Sequence, residues 1–277
     1  MSDSKLLTAF VIVCLACSAN VKAESCAQYA GQAVTPSTIE DLLVEQAKLP
    51  NLKDEFETTQ AFEARVVAAT AKNQQSRIVW IPVDSKYVVY DADARMLSVQ
   101  IYALANQNTD YYGVFGYGTP YDGKVKTSLS TLGANINIVV NKREEKDGSF
   151  TGQNSFGAVT NVTRVRRSTQ ALFERGGARG EDLFFPNEAT ATARKRVIVE
   201  FPDTSADIAK IVKATLRAAV VIAPKWPFYA KGKVPSGPPT MQRPTLVDET
   251  LEVAVVDFQC ALLTDESGKV FAAIDTR

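Results

Sequence analysis

The 277-residue chain contains no histidine. Imidazole is the usual general base, the usual partner of a serine or cysteine nucleophile and the commonest metal ligand. Ser-His and Cys-His catalysis and His-based zinc sites are therefore excluded. Neither sign of charge is in excess, because 31 Lys and Arg balance 31 Asp and Glu. Nucleic-acid binders ordinarily carry a strong basic excess, so no nucleic-acid partner is expected, and overall charge gives no reason for strong attraction to an anionic membrane. Long apolar runs are also missing beyond the first 23 residues, so no transmembrane segment is expected there. Cysteine is scarce, at four residues.

The first residues have an organisation of their own. Lys5 precedes an apolar run from Leu6 to Cys17, and a short polar stretch ends in Val21-Lys22-Ala23. This is the layout of a secretory signal peptide cleaved after Ala23. The run is about 12 residues long, where a membrane-spanning helix needs ~20, which disfavours an anchor. Export predicts a periplasmic or secreted location and leaves residues 24–277 as one domain, with a weak subdivision conceivable near 145–150. Its formal charge is then about −1. Cys14 and Cys17 leave with the peptide, so Cys26 and Cys260 remain, one near each end of the chain. In an oxidising compartment this predicts a disulfide between them, the alternative being two free thiols. Closing so large a loop contributes about 4–5 kcal/mol in the chain-entropy model, less any strain.

Periodicity divides the exported chain in two. Thr35 to Thr38 caps a helix from Ile39 to Gln46, with acidic residues in its first turn. Asn51 reads as the cap of a second helix, Leu52 to Asn73, whose Phe56, Thr59, Phe62, Val66 and Ala69 form one buried stripe. From Ser76 the period changes to two, with strands expected at 78–83, 86–90, 96–102, 135–140, 156–173 and 197–201. The run Lys142 to Gly148 reads as a charged turn ending a strand. Pro202 to Ser205 caps a short helix over 206–214, and a strand follows at 216–222. Residues 224–244 hold six of the twelve prolines and read as a long ordered loop. A hairpin over 251–263 and 270–274 ends the chain. The expected class is α+β: N-terminal helices packed on a predominantly antiparallel β-sheet.

Several segments resemble a family of uncharacterised exported bacterial proteins: Lys53 to Arg65 around Lys-Asp-Glu-Phe-Glu-Thr-Thr, the turn Tyr90 to Asp93, Gly152-Gln-Asn-Ser-Phe-Gly157 and Phe201-Pro202. The resemblance spans roughly Asn51 to the C-terminus. It implies an origin in the bacterial envelope and transfers no activity.

Candidate binding residues lie in two places. Residues 111–123 pack five aromatics and four glycines into thirteen positions. Tyr111, Tyr112, Phe115, Tyr117 and Tyr121 offer stiff amphipathic contact surface on a pliable loop, unless the rings fold back on a sheet. Gln153 and Asn154 are amides framed by glycines, suited to a sugar or peptide backbone or to a turn at a strand start. Arg164 and Arg166 share one strand face and Arg167 takes the other, so spacing alone does not make them one patch. Asp91 and Asp93 lack the glycine and glutamate of a calcium loop and read as a turn. No metal or cofactor is expected. With no catalytic constellation, the sequence points to a non-enzymatic protein-binding, assembly or inhibitor factor, whose partner is another envelope or secreted protein. The alternative is a carboxylate-dependent hydrolase acting on a cell-wall or surface glycan, the chemistry that missing imidazole does not touch.

Overall fold

A computed structural model describes residues 26–100, 103–104, 136–174, 197–234 and 237–275. Strands make up 51% of the structure and helices 22%. The large sheet contains β1 (Arg77–Ile81), β4 (Ile136–Gln153), β5 (Val159–Glu174), β7 (Arg217–Val234), β8 (Thr245–Thr264) and β9 (Val270–Asp275). Its order is β1-β7-β8-β5-β4, with β9 also on β8. β5 and β9 share one side of β8, end to end: β5 pairs with residues 245–255 and β9 with 260–264. A second sheet holds β2 (Val88–Asp91), β3 (Met96–Gln100) and β6 (Val197–Phe201), all antiparallel.

The expectation of helices on a predominantly antiparallel sheet is overturned. The protein is mostly β, and its large sheet is mixed because β5 and β8 run parallel from Thr163↔Thr245 to Phe173↔Val255. The helices take different roles. α1 (Ile39–Ala47) buries Ile39, Leu42 and Leu43 against the sheet, α3 (Ala206–Thr215) lies by β2, and α2 (Thr59–Lys72) buries no residue. The predicted buried stripe on α2 is therefore only half-covered: Phe62, which meets Trp226 edge-on, Val66 and Ala69 are half-buried, Thr59 is exposed, and Phe56, ahead of the helix, is 91% exposed.

Two caps follow sequence rules. Thr38 accepts from the Asp41 N–H and Ser205 from the Ile208 N–H, as the sequence predicts. Asn51 does not cap a helix start. Its side chain donates to the Gln46 and Leu49 carbonyls at the end of α1 and accepts from the Tyr229 N–H, while Thr58 caps α2. Local propensity for a cap is satisfied at either end of a helix, and here the neighbouring strand decided it.

The main core lies on one face of the large sheet. α1 and the smaller sheet cover Val220, Ile222, Val256, Phe258 and Leu172 there. On the opposite face Cys26, Val221, Cys260, Leu262 and Val270 pack with Tyr29, Val34 and Trp80. A Cys26–Cys260 disulfide, Cα to Cα 5.8 Å, staples the N-terminal arm to that face. At the β8–β9 turn Gly268 has φ +84°, and a Cβ there would sit 2.3 Å from the Val34 carbonyl oxygen. The arm therefore crosses the turn at a distance only glycine permits.

Two predicted interruptions are strand instead. β4 runs on through Lys142–Gly148, across the region of the conceivable subdivision at 145–150. β7 occupies 224–234 of the predicted proline loop, and its pairing to β8 shifts register between Val221 and Ile222 and again between Pro224 and Tyr229. A charge run looks like a turn in sequence because it lacks apolar alternation. On β4 it is tolerated because each charge meets an opposite charge or solvent rather than a core.

Candidate functional site

The four longest strands, β4, β5, β8 and β7, share a cleft of about 1190 Å³. Its lining holds six basic and six acidic residues. Strand register arranges them in rows. Glu144 on β4 lies opposite Arg167 on β5, which lies opposite Glu249 on β8. In the next row Glu145, Arg166 and Asp248 repeat the acid–base–acid order. Successive residues of a strand point to opposite faces, so the Arg167 row turns inward and the Arg166 row outward. Exposure follows: the Arg167 side chain is 24% exposed and that of Arg166 67%.

The inward row is a bridged triad. The Arg167 guanidinium donates to Glu144 at 2.7 Å and to Glu249 at 3.1 Å. The Thr169 hydroxyl donates to the other Glu249 oxygen at 2.6 Å. Glu249 is buried, so these donors replace part of the hydration that it loses. Burial works against the charge of Arg167, but the hydrogen bonds to Glu249 and Glu144 outweigh it and raise its pKa. The outward row is looser. Arg164 reaches Asp248 at 3.4 Å, Arg166 reaches Asp147 at 3.0 Å, and Lys231 holds Glu252 at 2.9 Å.

A second cluster sits where β5 ends. Glu174 is half-buried near Asp257 on β8 and Lys225 on β7, and Lys225 is ion-paired with Asp257. Burial pushes the Glu174 pKa up to about 7, and the neighbouring Asp257 charge adds to it; Lys225 and a hydrogen bond from the Phe258 N–H pull the other way. Glu174 is thus a carboxyl able to exchange a proton near neutrality.

Tyr111, Tyr112, Phe115, Tyr117 and Tyr121 lie outside the described residues, as do Arg175, Arg179 and residues 194–196. Gln153 and Asn154 form the turn of the β4–β5 hairpin. The Asn154 side-chain oxygen accepts from the Phe156 and Ala158 N–H groups, and the Gln153 amide donates to the Gly157 carbonyl. Asp91 likewise accepts from the N–H groups of Asp93 and Ala94, closing the β2–β3 turn. Cys26 and Cys260 stand beside Asp275, whose carboxylate accepts from the Cys26 N–H at 2.9 Å. Bonded to each other, the two sulfurs offer no thiolate to a metal.

Sequence reading missed the cleft because it placed a turn at Lys142–Gly148, which removes the β4 side of every row. The signal was present as two charge runs of complementary sign order. For Glu174, Lys225 and Asp257 no local signal exists, since only the pairing of β8 with β5 and β7 unites them. The chain matches no family model, no curated protein and no solved structure.

Proposed function

We propose that this is an exported envelope protein that acts by binding another protein, without catalysis, and that the charged cleft is a contact surface. The observation that carries the reading is the acid–base–acid register of β4, β5 and β8. The outward row offers exposed charges of both signs, Arg164, Arg166 and Asp248, and charge complementarity confers selectivity more than raw affinity. It suits a polypeptide of mixed charge better than a uniformly charged polymer. Export rests on the Ala23 cleavage pattern and the resemblance to exported bacterial proteins. The aromatic loop with Tyr111, Tyr112, Phe115, Tyr117 and Tyr121 is a second contact element of the same proposal.

The test is cross-linking of a tagged copy in its native envelope, followed by mass spectrometry. Arg164→Glu with Arg166→Glu reverses two exposed charges at little cost to folding, because exposed ion pairs contribute roughly 0–1 kcal/mol each. The reading predicts one dominant protein captured by the wild type and a loss of about tenfold or more in the double variant, the scale of a few charge pairs. Equal capture by both removes the cleft from the reading.

One observation favours a second reading, the carboxylate-dependent hydrolase of a cell-wall or surface glycan. Glu174, raised to about 7 beside Asp257, has the pKa of a general acid next to a second carboxylate. Glycan-release assays decide it: release by the wild type that Glu174→Gln abolishes supports the hydrolase, and no release by the wild type removes it.

A further inference from the structure

The Cys26–Cys260 staple has a third member. The two sulfurs and a carboxylate oxygen of Asp275 all lie within 4.8 Å of one another. Among the described residues no other group of three cysteine or acidic side chains converges so closely. Both cysteines are buried and Asp275 is exposed, so the corner opens to solvent on one side.

The backbone, and not only the sulfur bond, places these three groups. Cys260 and Asp275 are cross-strand partners on β8 and β9. Cys26 comes from the N-terminal arm, which has hydrogen bonds of its own to the β8–β9 hairpin. Gly31 and Val34 donate N–H groups to the Val270 and Gly268 carbonyls, and the Val270 N–H donates to Gln32. The Cys26 N–H donates to the Asp275 carboxylate at 2.9 Å, which orients that side chain toward the sulfurs. The Gln259 carbonyl oxygen lies 3.3 Å from the Cys26 sulfur, where it can accept a thiol proton. Cutting the sulfur bond therefore leaves two thiols and a carboxylate in the same corner.

That set is suited to a cation. Ionising either thiol places a second anion beside Asp275, which disfavours the bare thiolate. Two thiolates and one carboxylate, with solvent at a fourth position, match the tetrahedral coordination of zinc, whereas calcium and magnesium take oxygen ligands. Thiolates about 2.3 Å from such an ion are about 3.8 Å apart. Backbones whose Cα atoms are 5.8 Å apart reach that separation by side-chain rotation.

We propose that, once its disulfide is reduced, this corner binds a zinc-type divalent cation through Cys26, Cys260 and Asp275. The arm then has two alternative staples, one covalent and one metallic. The step balances. A dithiol reductant gives two electrons and two protons to the Cys26–Cys260 bond and becomes a disulfide itself. The cation then displaces the two thiol protons. In an oxidising location the covalent staple is the resting form, and the metal form belongs to the chain before oxidation or after reduction. This inference does not depend on what binds the cleft.

The experiment uses the purified exported protein, reduced with a phosphine under inert gas and titrated with cobalt(II), a coloured stand-in for zinc. Circular dichroism follows the fold throughout. The expected result is thiolate-to-cobalt charge-transfer absorption that saturates at a single ion per chain, is bleached by zinc and is absent from the oxidised protein. Cys260→Ser should remove it. Asp275→Asn, whose side-chain oxygen still accepts from the Cys26 N–H, should weaken binding by about tenfold or more. Zinc should raise the melting temperature of the reduced wild type and leave that of the oxidised protein where it was. Folded, reduced protein that stays colourless overturns the proposal, as does equal affinity in Asp275→Asn. The same absorption from the chain in urea would place binding on loose cysteines and likewise overturn it. A reduced chain that fails to fold with or without the ion does so too.

Discussion

Arg167 ties the buried Glu249 on β8 to Glu144 on β4. Arg167 and Thr169 both donate to the Glu249 carboxylate, and removing the guanidinium takes away its charged hydrogen-bond partner on β5. Arg167→Met is expected to destabilise the fold by about 3–5 kcal/mol, the usual cost of breaking a buried pair, measurable by urea unfolding. A loss under about 1 kcal/mol, typical of exposed pairs, would show that Glu249 finds water or another donor. Glu174 makes the opposite kind of prediction. Its native pKa of about 7 lies above the ordinary value of 4.5. The native state therefore holds a proton that the unfolded chain has released, and stability falls as pH rises from about 4.5 to 7. Glu174→Gln should flatten that part of the pH–stability profile and raise the melting temperature at pH 8 relative to the wild type. An unchanged profile would mean that Glu174 titrates as an ordinary carboxyl.

At the level of elements, the legible features were those governed by local rules. The caps at Thr38 and Ser205, the β2–β3 hairpin around the turn at Asp91, and the final β8–β9 hairpin all follow from residues within a few positions of each other. The illegible ones depend on distant partners. β4 continues through Lys142–Gly148 because Arg166 and Arg167 stand opposite, and nothing in the run itself announces them. α2 is capped by Thr58 because Asn51 is taken by the end of α1 and by Tyr229. β7 continues among prolines because β8 supplies its other half. The Cys26–Cys260 disulfide was legible by elimination, since only two cysteines follow the signal pattern. It ties the single helical turn Cys26–Tyr29 to the large sheet. Replacing both cysteines by Ser should lower unfolding stability by up to about 5 kcal/mol in the chain-entropy model. It should also expose the face under Val34 and Trp80, read as faster hydrogen exchange along β1 and β9. Exchange unchanged there would show that the arm stays docked by packing and by the contact at Gly268.

Across the whole molecule, the strands separate two jobs. Their inner ends build the core beneath α1 and the smaller sheet, while their outer ends carry charge instead of apolar residues and so remain free for contact. The mixed topology produces this arrangement, because laying β5 parallel to β8 brings Arg164–Arg167 beside Asp248 and Glu249. An antiparallel register would place other residues opposite, and the acid–base–acid rows would not form. The sequence therefore contained the charges of the site but not their order in space. The most direct test places a photoreactive residue in the cleft at Ser168, and in a control protein at Val67, exposed on α2. Irradiation in the native envelope should attach one dominant protein to the Ser168 variant and not to the Val67 variant. The same yield from both positions, or none from the cleft while the folded protein is abundant, would contradict a binding role for the charged strands.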